Sequence, residues 1–154
     1  AEAILQQFGK PDVIAGVATG GIAQGALVAQ ELGIPFIYVR SSAKGHGLGN
    51  QIEGHFEKGQ KVVVIEDLIS TGGSSLVAVK ALREAGCDVK GLVAIFSYGF
   101  DVAVQNFQNA DCPYVTLTDY DHLIEQALKL EYINEGDIDS LKEWKNAPDT
   151  WQAN

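Results

Sequence analysis

The chain has 154 residues, 46% of them hydrophobic and 20% charged, with a formal net charge of −9. That length supports one well-buried core and is too short for two ordinary domains, so a single domain over 1–154 is expected. The acidic balance argues against a broad basic face for nucleic acid, and neither a secretion signal nor a run of eighteen apolar residues occurs. The expected setting is therefore soluble, reducing and cytoplasmic, with no nucleic-acid or membrane partner.

Ile4, Leu5 and Phe8 fall on one face of an opening helix that stops before Gly9. Residues 13–18 read as a buried strand, Thr19, Gly20 and Gly21 as a tight loop, and 22–32 as a helix ending at Gly33. A second strand over 36–39 follows Pro35, and the chain then enters a polar, glycine-rich stretch expected to be flexible over about 41–54. After a turn at 57–60 comes the β-branched run Val62, Val63, Val64 and Ile65, uninterrupted as in a parallel strand covered on both faces, with Glu66 and Asp67 at its carboxyl end. From Ser74, the residues Leu76, Val77, Val79, Ala81 and Leu82 mark an amphipathic helix that stops at Gly86. Arg83 beside Glu84 reads as a solvated surface charge. A strand over 91–97, a helix over 102–109 capped by Asp101, a short strand over 114–117 and a helix capped by Asp119 and running to about Leu130 follow. Ile138, Leu141 and Trp144 at helical spacing are expected to pack back on the core. Cys87 and Cys112 lack metal-ligand spacing and read as small residues beside turns, and His55 and His122 as surface histidines.

Alternating strands and helices of these lengths predict an α/β fold with a mostly parallel central sheet flanked by helices. Ligands gather at the carboxyl edge of such sheets, where Thr19 to Gly21, Arg40 and Glu66 to Ser74 all fall. Ser70, Thr71, Gly72, Gly73 and Ser74 offer hydroxyls and unhindered N–H groups at the positive end of a helix dipole, which suits a phosphate monoester. Glu66 and Asp67 would repel that phosphate. Both features fit one ligand with an anionic end and, a few ångströms off, hydroxyls or a developing positive charge, as in a phosphorylated ribose. On residue chemistry alone the acids equally suit loop caps, and Lys44 and His46 equally suit a solvated segment. Adjacent side chains on a strand point to opposite faces, so the two acids are not expected to share one job.

The run Lys61-Val-Val-Val-Ile-Glu-Asp-Leu-Ile-Ser-Thr-Gly-Gly-Ser74 resembles the phosphoribosyl-diphosphate signature of the type I phosphoribosyltransferases. The preceding segment, with Arg40, Lys44, His46-Gly47 and Glu53-Gly54, is similar to the catalytic loop of the orotate phosphoribosyltransferases, and Gly16-Val-Ala-Thr-Gly-Gly-Ile22 to the pyrophosphate loop of the family. Three ordered motifs from about Pro11 to beyond Phe100 carry the resemblance.

The resemblance implies transfer of 5-phosphoribosyl from 5-phospho-α-D-ribose 1-diphosphate to orotate, giving orotidine 5′-phosphate and pyrophosphate in UMP synthesis, with Mg²⁺ as cofactor. It implies that Glu66 and Asp67 hold the ribose hydroxyls, that Leu68, Ile69 and Ser70 to Ser74 cradle the 5-phosphate, and that Ser70 also faces the base. Arg40, Lys44, His46, Thr19, Gly20 and Gly21 are implied to meet the diphosphate. No direct protein ligand for Mg²⁺ is implied; the substrate holds it, with water leading to Asp67. A homodimer whose loop crosses the interface is also implied, as is a longer chain whose amino-terminal hood segment is missing here. Alternatives are a purine-type phosphoribosyltransferase and a non-catalytic sensor of the diphosphate sugar. Two departures stand out: Ser41 and Ser42 occupy places where further lysines occur, and Tyr98-Gly99-Phe100 stands where many members carry a base-contacting arginine.

Overall fold

The structure, a computed structural model, describes residues 1–41 and 51–152. Helix α1 (Glu2–Phe8) leads into β1 (Val13–Val17), α2 (Gly21–Leu32), β2 (Phe36–Val39) and β3 (Ile52–Glu53). Then come β4 (Lys61–Ile69), α3 (Gly73–Glu84), β5 (Asp88–Ser97), α4 (Asp101–Asn109), β6 (Tyr114–Asp119), α5 (Tyr120–Lys129) and α6 (Ile138–Asn146). The strands form one six-stranded sheet in the order β3-β2-β1-β4-β5-β6, parallel throughout except for the antiparallel edge strand β3. The expected mostly parallel sheet is present.

Strand alternation divides the core in two. Val13, Ala15, Val17, Val62 and Val64 face the layer built by Ala78, Val79 and Leu82 of α3 and Ala103 and Phe107 of α4. Ile14, Val63, Ile65 and Val93 face Ile4 of α1 and Ala29 of α2. Helices therefore cover both faces, which is why the central strands read as continuous apolar runs rather than alternating ones.

Several local expectations are corrected. Leu5 and Val77 lie on solvent faces, at 45% and 43% exposure, because Ile4 with Phe8, and Ala78 with Leu82, take the core-facing positions. Strand β4 runs four residues past Ile65, because β5 continues beside it and pairs Leu68 with Phe96 and Ile69 with Ser97. The two acids thus sit inside a strand rather than after one. Asp101 is the first residue of α4, not its cap; Phe100 occupies the cap position and no side chain bonds there. Asp119 does cap α5, accepting from the His122 amide. Arg83 is exposed, as expected, and its guanidinium in addition donates to the carbonyls of Ala110 (2.6 Å) and Asp111 (2.8 Å), closing the carboxyl end of α4. Within the stretch expected to be flexible, Ile52 and Glu53 pair with Val39 and Tyr38. Cys87 and Cys112 are buried and free.

Candidate active site

Strand order reverses at β1, whose chain continues to β2 on one side and whose other neighbour is β4. The carboxyl ends of β1 and β4 therefore diverge into separate connections and leave a crevice between them. Two glycines let the walls of this crevice approach. A Cβ on Gly21 would overlap the Ile65 carbonyl of β4, and one on Gly20 would collide with the Asp67 carboxylate. The β1–α2 loop, whose Ala18–Thr19 peptide is cis, is thereby seated directly against the acidic end of β4.

Glu66 and Asp67, adjacent on β4, have opposite surroundings. Asp67 is exposed at the rim and accepts from the Leu68 amide at 2.8 Å. Glu66 is 3% exposed and is held against the start of α3. One of its oxygens accepts from Ser75 Oγ at 2.9 Å and Ser74 Oγ at 3.3 Å, and the other from the Asp67 amide at 3.2 Å. Burial foremost, then the hydrogen bond and charge of Asp67, push its carboxyl up to about 7 against the lowering influence of Ser75.

Gly72 adopts φ +80°, and a side chain there would run into the Phe107 ring beneath, so the loop passes low over α4. Asn106 of α4 fixes the same loop by donating to the Thr71 carbonyl at 3.0 Å. Neither α2 nor α3 has a side-chain cap at its amino end, and both begin after glycine. Two uncapped helix ends thus face the crevice with first-turn N–H groups that have no partner within their helices.

Of the residues singled out from sequence, Thr19, Gly20, Gly21, Glu66, Asp67, Ser70, Thr71, Gly72, Gly73 and Ser74 line this one edge, with Ser74 committed in part to Glu66. Arg40 borders a cavity of about 280 Å³ together with Thr19, Ile22 and Tyr38, and its guanidinium lies 3.7 Å from Glu53. Leu68 is partly exposed, whereas the Ile69 side chain belongs to the core and its carbonyl accepts from the Tyr98 amide. Lys44 and His46 lie outside the described residues. On the other side of the loop, Ser70 and Thr71 open into a cavity of about 710 Å³ bounded by Tyr98, Phe100 and Trp144. Sequence reasoning did not foresee Ser75, whose fully buried hydroxyl holds Glu66; the only signal was a second serine behind the glycine pair. Trp144 packs back as its helical spacing predicts, its ring meeting Tyr98, Phe100 and Tyr120 with centroids 5.0–5.8 Å apart, and it also borders the cavity beside Ser70 and Thr71.

The phosphoribosyl transferase domain pattern matches residues 1–122, so the fold and the crevice define a phosphoribosyltransferase. The chain is 57% identical over 151 residues to the orotate phosphoribosyltransferase of Porphyromonas gingivalis, covering 98% of this chain and 72% of that protein. It belongs to the orotate phosphoribosyltransferase family. Among solved structures, orotate phosphoribosyltransferase from Aeropyrum pernix superposes with a TM-score of 0.73 at 30% identity, covering 86% of this chain and 75% of the other. The UMP synthase of Leishmania donovani shares the fold, with a TM-score of 0.77 at 24% identity; the chain spans 94% of its own length but 31% of that one.

Proposed function

We propose that this chain transfers the 5-phosphoribosyl group from 5-phospho-α-D-ribose 1-diphosphate to orotate, releasing pyrophosphate and forming orotidine 5′-phosphate. The observation that carries the reading is the meeting of two uncapped helix ends with a carboxylate pair at one strand switch point. Anion donors and acids would be at odds around a simple phosphate. Around a ribose bearing phosphates at both ends they are complementary.

Substitution at C1 lengthens the bond to the diphosphate, so positive charge grows on the ribose and negative charge on the leaving group. In this reading Asp67 stands beside the ribose and holds its hydroxyls, while Glu66 sets the position of Ser74 and Ser75 at the start of α3. Ser70, Thr71, Gly72, Gly73 and Ser74, with the backbone of Leu68 and Ile69, take the 5-phosphate. Thr19, Gly20, Gly21 and Arg40, together with Lys44 and His46, take the diphosphate. The deprotonated pyrimidine nitrogen attacks, and no protein nucleophile is required.

Mg²⁺ belongs to the proposal. Among the described residues no group of three or more His, Cys, Asp or Glu side chains is placed to hold a metal ion. Asp67 offers one exposed carboxylate, a donor set that fits a cation carried by the diphosphate and ribose hydroxyls and met through water. When bound, it supplies countercharge for the leaving diphosphate. A homodimer in the cytoplasm is the proposed working state; no helix among the described residues is long and apolar enough to cross a membrane. The test is pyrophosphate release with the diphosphate sugar, Mg²⁺ and orotate, compared with adenine, guanine, hypoxanthine and xanthine. Turnover restricted to orotate is expected, and turnover with a purine alone would replace this reading with the purine-type one.

A further inference from the structure

The cavity beyond Ser70 and Thr71 has a wall that comes from the far end of the chain. Trp144 of α6 closes on Tyr98 at 5.4 Å, on Phe100 at 5.8 Å and on Tyr120 at 5.0 Å, and Tyr98 stacks on Phe100 with ring planes 13° apart. These rings pin α6 beside the loop that reads the sugar phosphate. Next to Trp144, Lys145 is the one cationic residue bordering the cavity among the described residues, and its side chain is 22% exposed. A side chain at Gly99 would come into contact with its ammonium, which donates to Asp121 Oδ2 at 2.6 Å. An ammonium has three donors, and Asp121 occupies one of them.

On the orotate reading, an acceptor base on Ser70's side of the sugar falls toward this cavity, which Ser70 borders, and orotate differs from other pyrimidines in carrying a carboxylate. A planar anion asks for a flat apolar wall and a partly desolvated cation, and the cavity provides both. Asp101 and Asp149 also border it and would repel a carboxylate turned toward them, which leaves the Lys145 end as the favoured orientation. We propose that Lys145 on α6 is a specificity-determining residue that receives the carboxylate of the acceptor pyrimidine, with Tyr98 and Trp144 forming the wall against which its ring lies. The proposal rests on the orotate reading above and adds to it the residues that choose the base.

Lys145→Gln removes the cation and keeps a side chain of similar reach. It should raise KM for orotate on the order of tenfold or more, the scale of losing a charge-assisted hydrogen bond, while KM for the diphosphate sugar stays within about twofold. The preference for orotate over uracil should narrow in parallel, and Lys145→Arg should restore most of it. Asp121→Asn breaks the same ion pair but leaves the cation in place, so it separates recognition from scaffolding. It should leave KM for orotate at or below the wild-type value, since it removes a competing anion, with melting temperatures reported for every variant. Equal shifts in Lys145→Gln and Asp121→Asn, or no shift in either, would overturn the proposal while leaving the transferase reading intact. A wild-type protein that neither binds orotate by calorimetry nor turns it over would bring down both.

Discussion

Glu66 and Asp67 are neighbours in sequence with opposite surroundings, and the difference is measurable. Glu66 is buried and raised from 4.5 to about 7, so the folded protein holds a proton there that the unfolded chain releases earlier. A raised carboxyl contributes stability that is complete below the unfolded value and is lost as the pH climbs from about 4.5 through 7, on the order of 3 kcal/mol in all. Glu66→Gln cannot ionise, and serine hydroxyls can donate to or accept from an amide. Without substrate or Mg²⁺, the variant should match the wild type in urea near pH 4.5 and exceed it by an amount of that order at pH 8. Parallel curves across the range would show that Glu66 is not held protonated by its site. That the acids precede a serine- and glycine-rich loop at the start of a helix could be read from the chain, since residue type and spacing carry it. That Ser75 rather than water satisfies Glu66 could not, because this depends on how α3 is rotated against β4. Arg83 illustrates the same limit: its partners are backbone carbonyls 27 and 28 residues away, which carry no side-chain signature.

At the level of elements, local chemistry sets where helices start, and the contrast between α5 and its neighbours is informative. Asp119 caps α5 through the His122 amide at 3.0 Å and also meets the His122 ring at 2.7 Å, whereas α2 and α3 are left uncapped where the ligand is proposed to bind. The His122 amide holds the Asp119 carboxyl below its ordinary 3.8, so its contribution is present above that value and is lost as the pH falls through the lowered one. Asp119→Ala should therefore cost about 1 kcal/mol at pH 7, with the difference between urea midpoints closing in acid. A gap that persists unchanged below pH 3.8 would mean the loss comes from packing rather than from the cap. Strand β2 and the capped start of α5 were legible because turn and cap residues mark them. The extension of β4 and the two-residue strand β3 were not, since both exist only through pairing with a neighbour whose position the local sequence does not encode. Leu5 and Val77 were misplaced for a related reason: a short helix permits more than one apolar stripe, and the sheet beneath selects one.

For the molecule as a whole, the convergence of Gly20, Asp67, Ser74 and Arg40 on one edge follows from parallel strand topology, and so was legible before any coordinates. The return of α6 follows from its helical spacing, but which rings Trp144 meets does not, because its contacts with Tyr98 and Phe100 span more than forty positions and carry no motif. The proposed homodimer, with Lys44 acting in the site of its partner, makes a prediction at this scale. Asp67→Asn disables the site on its own subunit, and Lys44→Ala disables the site on the other. Each homodimer should then be nearly inactive while remaining folded, because Asp67 is exposed and its side chain makes only local contacts, with the Leu68 amide and with Glu66. Mixing the two variants under conditions that exchange subunits makes half the dimers mixed. In each of these, both lesions fall on one site and the other site is whole, so roughly a quarter of wild-type activity should return. If each subunit used its own Lys44, every site in every mixture would carry one lesion and no activity would reappear. Recovery on mixing therefore tests both the dimer and the crossing of the loop, and persistent inactivity despite verified exchange would place Lys44 in the site of its own chain.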